Sequence, residues 1–269
     1  MEERVSIQAR IEKAAALERQ GHEYRAQSKI HEAFRAFDEA GHLYRSVGDH
    51  LKASVCFASA GTCWNIHTGW QPLQRAALRH QMAAEEAMKA SSYDYANSLF
   101  QDAALLFEKE GDFSAYSNCY IKSKVAWRKH LWAIVFGSRA GDVCSDPRHR
   151  SFGERVTAFL KCIFSLASYL LWGHGEKPFR TSGWALLVIA GATAYYDRTG
   201  LLVSSGGERI GDFFSALYFS VVTYTTVGYG DLLALEGARW VACFEALAGI
   251  VLTPLFLISL SRRYLRMSR

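Results

Sequence analysis

Apolar positions along the chain fall into two patterns. Between residues 4 and 130 they recur at helical spacing among many charged residues, with Pro72 as the single proline. After residue 150 the apolar runs lengthen and charged residues become sparse. This change predicts an all-α protein, with a soluble helical domain over 1–136 and a membrane domain over 151–269. A stretch with Gly, Ser, Asp and Pro, residues 137–150, is predicted to link them.

Two stretches of the first domain share small and large apolar residues at one constant offset. Small Ala residues let neighbouring helices approach, and the large side chains fill the space between them, as in a helical solenoid. Each stretch contains a Gly-Asp pair, which suits a left-handed turn followed by a helix cap. The matching residues are Ala33, Phe37, Ala40, Leu43, Tyr44, Gly48, Asp49 and Cys56, and then Ala96, Phe100, Ala103, Leu106, Phe107, Gly111, Asp112 and Cys119.

Residues 10–128 therefore resemble tetratricopeptide-like repeats and also the helical repeats of the attachment-protein (SNAP) family. Repeats of this kind present concave surfaces that bind proteins or peptides. The resemblance implies a protein partner for this domain, and a plain helical bundle is the alternative.

Residues 151–180 are predicted to form an amphipathic interfacial helix and a loop. Apolar residues of the segment 152–173 recur at helical spacing, while Lys161 lies off that stripe in mid-segment. A helix of this kind can lie along the membrane surface instead of crossing it. His174, in the loop that follows, is either a pH sensor or an ordinary interfacial residue.

Two further apolar segments have the lengths and flanks of membrane spans. The first covers residues 181–196 and the second covers 238–260, which is long enough to cross a bilayer core. Trp184 and Trp240 lie near the span ends, where an aromatic belt would place them. A shorter amphipathic stretch, residues 210–224, lies between the spans and leads into a distinctive run.

That run is Thr225-Thr226-Val227-Gly228-Tyr229-Gly230-Asp231. It is similar to the signature of the potassium-channel selectivity filter, and the region 181–260 resembles the whole pore module of two-span potassium channels. The resemblance implies a first span, a pore helix, a filter and a second span within a pore domain over 181–269. It also implies passive, potassium-selective conduction.

The signature also makes physical sense residue by residue. Backbone carbonyls from four chains replace the water of a potassium ion, which is implied to bind at Thr226, Val227, Gly228 and Tyr229. Gly228 and Gly230 permit the unusual dihedral angles that this requires. The hydroxyl of Thr226 adds the innermost ring of oxygens, whereas Val227 and Tyr229 point away from the ions and brace the filter.

Other residues take supporting roles by the same resemblance. Thr225 and Asp231 flank the filter. Some family members carry Glu at the pore-helix position of Val222, paired with the Asp after the filter. Val222 cannot make that bond, and Tyr218 is expected to offer its hydroxyl to Asp231 instead.

The second span carries two candidate gating hinges and one acidic residue. Gly249 falls where such channels often have a hinge glycine, and Pro254 could also bend the helix. An ionised Glu245 in a span would cost about 2.5–3.5 kcal/mol, so a partner or water is expected. Glu245 could bond behind the filter, place a charge near the cavity, or be a protonated or peripheral residue.

Topology follows from the filter and from charge. The filter of this family enters from the extracellular side, so the first span runs outward and the second returns. Arg-rich sequence after the second span is expected to be cytoplasmic. The N-terminus lacks an apolar signal segment, so the soluble domain is also expected in the cytoplasm, with the pore in the plasma membrane or cell inner membrane. One filter per chain implies a homotetramer in the lipid bilayer.

Composition excludes several other classes. The net charge is +5, and Arg residues cluster beside the apolar runs, which fits membrane flanks better than a nucleic-acid face. The six Cys form no CxxC pair, so reduced thiols are expected in place of a disulfide framework or zinc site. No nucleophile–base pair, phosphate loop or organic-cofactor motif indicates an enzyme, so K+ is the only cofactor expected. A membrane-anchored adaptor with a vestigial pore is the second hypothesis.

Overall fold

The computed structural model describes residues 2–66, 72–136 and 151–267. The predicted linker at 137–150, with Cys144 and Pro147, lies outside the described residues. The chain divides into two compact units, Met1–Leu166 (with Arg269) and Ala167–Ser268. Over the described residues the regular secondary structure is helical apart from three short strands, which confirms the predicted all-α class.

Six long helices make up most of the first unit, and each packs against the next along the chain. A seventh begins in this unit and continues into the second. The helices are α1 Glu2–Ala26, α2 Ile30–Ser46, α3 His50–Ile66, α4 Pro72–Lys89, α5 Tyr93–Glu110, α6 Phe113–Phe136 and α7 Phe152–Trp172.

Glycines at intervals of 20 residues mark a repeat unit of one helix and its turn. A Cβ on Gly21 would lie 2.8 Å from the Phe37 ring, and a Cβ on Gly41 would lie 2.8 Å from the Phe57 ring. Each ring therefore packs directly on the backbone of the preceding helix. The constant offset seen in the sequence relates α2 to α5 and so covers three of these units. The tetratricopeptide-like assignment stays a prediction.

The Gly-Asp junctions predicted from the sequence are confirmed. Asp49 Oδ1 accepts a hydrogen bond from the Lys52 N–H (3.1 Å), and Asp112 Oδ1 accepts one from the Ala115 N–H (2.9 Å). Both bonds satisfy free donors at the start of a helix. Two further junctions have the same left-handed turn with Ser in place of Gly. At these four helix junctions the residues with positive φ are Ser28, Gly48, Ser91 and Gly111.

The second unit contains three helices and a small antiparallel sheet. α8 packs against both α9 and α10, and α9 packs against α10. The sheet has the strand order β2-β1-β3, with Leu202 of the central strand facing Ile210 and Ala234. The elements are α8 Pro178–Thr199, β1 Leu202–Ser204, β2 Arg209–Ile210, α9 Phe213–Tyr224, β3 Leu232–Ala234 and α10 Glu236–Met267, preceded by a short 3-10 turn at Gly173–Gly175.

The strands were not predicted, although the sequence carries a signal for them. Ser205-Gly206-Gly207 separates two short runs with apolar residues, which is a hairpin pattern. The core beside this sheet joins side chains of all three helices and the central strand. Its buried members are Ala192, Tyr196, Leu202, Ala216, Phe219 and Ala238.

Two of the described helices are long and apolar enough to cross a membrane by length and composition. They are Phe152–Gly175 and Glu236–Arg262. The second matches the predicted second span. α8, which contains the predicted first span, does not pass this composition test, whereas the predicted surface helix does. Length and composition alone therefore favour α7 over α8 as a span, against the prediction of a surface helix. The surface position of residues 152–173 stays a prediction.

Candidate functional site

α9 is a short helix with a defined start. Asp212 Oδ2 accepts a hydrogen bond from the Ser215 N–H at 2.9 Å, which caps the helix. This backbone hydrogen bond holds the pKa of Asp212 below its ordinary value. The helix ends at Tyr224, so the partial negative charge of its C-terminus lies where the filter sequence begins. A cation near that point is favoured.

The backbone of the predicted filter, residues 226–230, alternates between positive and negative φ. φ is +58° at Thr226, +57° at Gly228 and +79° at Gly230, whereas Val227 and Tyr229 are not among the residues with positive φ. Alternation of this kind places successive N–H groups on one side of the chain and leaves the carbonyls on the other. The segment therefore offers a row of oxygens of the kind that can replace the water of a potassium ion.

Thr226 is the residue that makes this alternation costly. A non-glycine residue in the left-handed region costs about 1–3 kcal/mol and persists only where its surroundings hold it. Here the Thr226 N–H donates to the Thr223 carbonyl at 3.0 Å, and the Val227 N–H donates to the Val222 carbonyl at 3.0 Å. The last turn of α9 thus fixes the start of the filter.

The far end of the filter is fixed by the sheet. The Ser205 N–H donates to the Asp231 carbonyl at 2.9 Å, and β3 then pairs with β1. The side chain of Tyr218 is hydrogen-bonded to Asp231, and this bond raises the pKa of the Tyr218 phenol. Tyr218, the expected partner of Asp231, therefore lies within hydrogen-bonding reach of it. Val222 takes part in holding the filter through its carbonyl.

The outward side chains of the filter have few neighbours in their own chain. Val227 is 52% exposed and Tyr229 is 72% exposed. Thr225, by contrast, donates its hydroxyl to the Val221 carbonyl at 2.8 Å and so stays attached to α9. The filter is therefore held at both ends and uncovered in its middle.

Gly249 brings α10 into direct contact with the end of α9. A Cβ on Gly249 would lie only 1.9 Å from the Tyr224 carbonyl oxygen, so only glycine fits. α10 continues through both Gly249 and Pro254 as one helix. The predicted hinge role of these residues stays a prediction. The structure gives Gly249 a packing role that the sequence did not reveal.

Glu245 lies between three helices. Its side chain is 1% exposed, and its Oε2 accepts a hydrogen bond from the Tyr196 hydroxyl of α8 at 3.1 Å. Its Oε1 is hydrogen-bonded to the Ser220 hydroxyl of α9. The Ser220 oxygen is also 3.1 Å from the Ile189 carbonyl oxygen of α8. Glu245 therefore bonds to the helix that carries the filter.

The turn between α7 and α8 contacts the far end of α10. His174 is buried in a left-handed conformation, and its Nδ1 lies 3.0 Å from the Ser168 hydroxyl, which also accepts from Trp172 Nε1 at 2.7 Å. A Cβ on Gly175 would lie 3.1 Å from an Arg262 guanidinium nitrogen. The turn and α10 therefore touch through Gly175 and Arg262.

Comparisons with known proteins give a family match over this region. Residues 183–266 match a family described as Ion channel. Over 91 residues the chain is 38% identical to two pore potassium channel b of Oryza sativa subsp. japonica, a stretch that covers 33% of this chain and 25% of the relative. It is 35% identical over 125 residues to two pore potassium channel a of the same plant, covering 40% and 35%.

The chain thus spans about a quarter to a third of the length of these curated relatives. No solved structure matches it. The family match and the apolar helices together support an ion-channel domain in a membrane protein, built from α8, α9, the filter and most of α10.

Proposed function

We propose that this chain is a subunit of a potassium-selective channel and that four copies surround one pore. The observation that carries the proposal is the alternating sign of φ from Thr226 to Gly230. Such alternation favours carbonyl oxygens that point to one side of the chain. A dehydrated potassium ion needs a shell of such oxygens that binds well enough to admit the ion and weakly enough to release it. The likeness to proteins named potassium channels supports the choice of ion.

The number of copies follows from geometry. These 269 residues contain one filter segment, and a closed ring of carbonyls needs four. The exposed Val227 and Tyr229 would be covered by neighbouring copies. The relatives are named two pore channels; a chain with two filter segments would close the same ring as a dimer. A homotetramer is therefore our proposal for this chain.

α7 supports a surface position at the inner face of the plasma membrane or cell inner membrane. Ala158 and Cys162 face α6 and are buried against Leu131, whereas Phe159 and Ile163 on another face are exposed and apolar. Lys161 lies on a third, polar face. A helix with one apolar face suits the boundary between headgroups and acyl chains. Both termini of the chain would then be cytoplasmic.

The helical-repeat domain is proposed to bias the gate. α7 leads from the domain to the turn at Gly175, which touches Arg262 near the end of α10. A protein bound to the repeats could shift α7 and so change the free energies of bent and straight α10 unequally, as a gating effector must. Recording from single channels with and without residues 1–136 tests this. Unchanged open probability, with tetramers intact and a native partner present, would exclude the gating role.

Flux from purified protein in liposomes tests the channel itself. The wild-type protein should pass potassium in preference to sodium. Gly228→Ala, which puts a side chain on a left-handed filter residue, should abolish that flux. Gly206→Ala, in the exposed hairpin where the nearest atom lies at 4.0 Å, should leave it unchanged.

The same assay separates the channel from a membrane-anchored adaptor. An adaptor with a vestigial pore would pass no potassium even as an intact tetramer with its partner bound. Equal sodium and potassium permeability in the wild-type protein would also refute the proposal.

A further inference from the structure

The hydrogen bonds around Glu245 pose a question of proton number. Three close oxygen pairs meet there: Tyr196 with Glu245, Ser220 with Glu245, and Ser220 with the Ile189 carbonyl. Each pair needs one proton between its oxygens to be attractive. The two hydroxyls supply one proton each, and a carbonyl supplies none. An ionised Glu245 would therefore leave one pair of oxygens without a proton.

The surroundings of Glu245 also disfavour a charge. It is 1% exposed, and within the described part of the chain it forms no ion pair with a basic side chain. α9 presents a neutral hydroxyl to it, at Ser220. The titratable groups nearby are Tyr196 of α8 and, beside Tyr196, Tyr195 and Cys243. Burying an unpaired carboxylate among neutral groups is expensive, so such groups usually stay protonated.

From these contacts we infer that Glu245 holds a proton and acts as a neutral positioning residue for the filter helix. Its carboxylic acid donates to Ser220, Ser220 donates to the Ile189 carbonyl, and Tyr196 donates to the remaining oxygen of Glu245. All three oxygen pairs then have one proton each. The acid joins α10 to α8 and α9 without placing a charge beside the conduction path.

The arrangement predicts how each substitution behaves. Glu245→Gln keeps the geometry, because its amide N–H can donate to Ser220 while its carbonyl accepts from Tyr196. Glu245→Leu offers neither and leaves both buried hydroxyls with fewer partners, which is costly in an apolar setting. Tyr196→Phe removes one of the two hydrogen bonds to Glu245. Its effect should therefore be intermediate between those of Glu245→Gln and Glu245→Leu.

Infrared spectroscopy of the purified protein in lipid tests the proton directly. The difference between wild type and Glu245→Gln at neutral pH should contain a carboxylic-acid C=O band that shifts in D2O. Glu86→Gln is a matched control, because the buried Glu86 carboxylate is paired with Lys89 at 2.8 Å and His50 at 2.7 Å. That variant should remove carboxylate bands instead. Loss of carboxylate bands in the Glu245→Gln difference would overturn the inference.

Flux measurements test the positioning role, which rests on the proposed channel function. Glu245→Gln should keep wild-type selectivity for potassium over sodium, whereas Glu245→Leu should lower that ratio at least about tenfold, the equivalent of about 1.4 kcal/mol. At alkaline pH wild-type flux should fall as Glu245 ionises, and Glu245→Gln flux should not.

An identical alkaline profile for both proteins would overturn the role, and so would equal selectivity of the Gln and Leu variants. If Glu245→Leu fails to fold, Tyr196→Phe provides the comparison. The infrared band requires no conduction, so its absence and a failure of the channel proposal are separate results.

Discussion

Replacing Gly249 by Ala probes the contact between α10 and the start of the filter. The added Cβ would lie 1.9 Å from the Tyr224 carbonyl oxygen and 2.9 Å from its carbonyl carbon, whereas real Cβ contacts are essentially never below 3.0 Å. The obstructing atoms belong to backbone, so no side chain can rotate away. α10 and the end of α9 must therefore separate by more than 1 Å.

Two opposing terms set the cost of Gly249→Ala to the free energy of unfolding. Forcing extra methyl groups into a packed site usually costs about 1–3 kcal/mol. Ala is better than Gly in a helix by about 1 kcal/mol, which offsets part of that cost. We expect a net loss of about 1–2 kcal/mol in the free energy of unfolding per chain on these two terms. Because Tyr224 directly precedes the filter, selectivity should fall as well.

The assay combines thermal unfolding in detergent with potassium and sodium flux in liposomes. Gly183→Ala in α8 is the matched control, since a Cβ there meets nothing within 4 Å. The control should be at least as stable as wild type and fully selective. A Gly249→Ala protein with wild-type stability and selectivity would refute the contact. A change confined to open probability would instead support the hinge role.

Three further predictions concern other parts of the chain. Tyr229→Asp should lower the potassium-to-sodium permeability ratio, because a carboxylate beside the ions changes the field of the filter; an unchanged ratio would count against the assignment. Gly41→Ala should lower the free energy of unfolding by about 1–3 kcal/mol in a denaturant titration, because its Cβ would lie 2.8 Å from the Phe57 ring. Burial lowers the pKa of His80, although Asp102 opposes the shift. Its contribution to stability is therefore present above the unfolded-state pKa of about 6.5, and it is lost as pH falls from there through the lower folded-state pKa. Thermal melts of wild type should therefore lose more stability between neutral and mildly acidic pH than melts of His80→Asn, and parallel losses would contradict this.

The sequence predicts the helices of the first unit well where local chemistry specifies their ends. Asp49 and Asp112 cap helices as their positions indicate. The repeat of 20 residues is harder to recognise, because its marker is a close contact and not a fixed residue type. Gly41 meets a Phe ring, whereas Gly61 meets the ring of His80. Such a contact depends on how neighbouring helices align, which local sequence does not specify.

The candidate site shows the same contrast between features that local sequence specifies and contacts that depend on how helices align. Gly228 and Gly230 identify the filter in the sequence because the left-handed conformations there favour glycine. Thr226 adopts the same left-handed conformation although its residue type does not indicate it, because the last turn of α9 holds it there. The hydrogen-bond partners of Glu245 also could not be predicted from the sequence, because they depend on the register of α10 against α8 and α9.

The contacts along α10 bear on which of its two predicted bending points can move. At its N-terminal end the Gly237 carbonyl accepts a hydrogen bond from the Tyr195 hydroxyl at 3.1 Å, and further along Glu245 bonds to α8 and α9. Gly249 then touches the end of α9, so a bend there would pull on the filter itself. Pro254 lies beyond these contacts, and it lacks the N–H that would complete the helical hydrogen bond four residues back. A bend at Pro254 would leave these contacts in place while it moves the C-terminal end of α10, where Arg262 lies beside Gly175. If α10 bends, these contacts favour a bend at Pro254 over one at Gly249, because Gly249 packs against the end of α9.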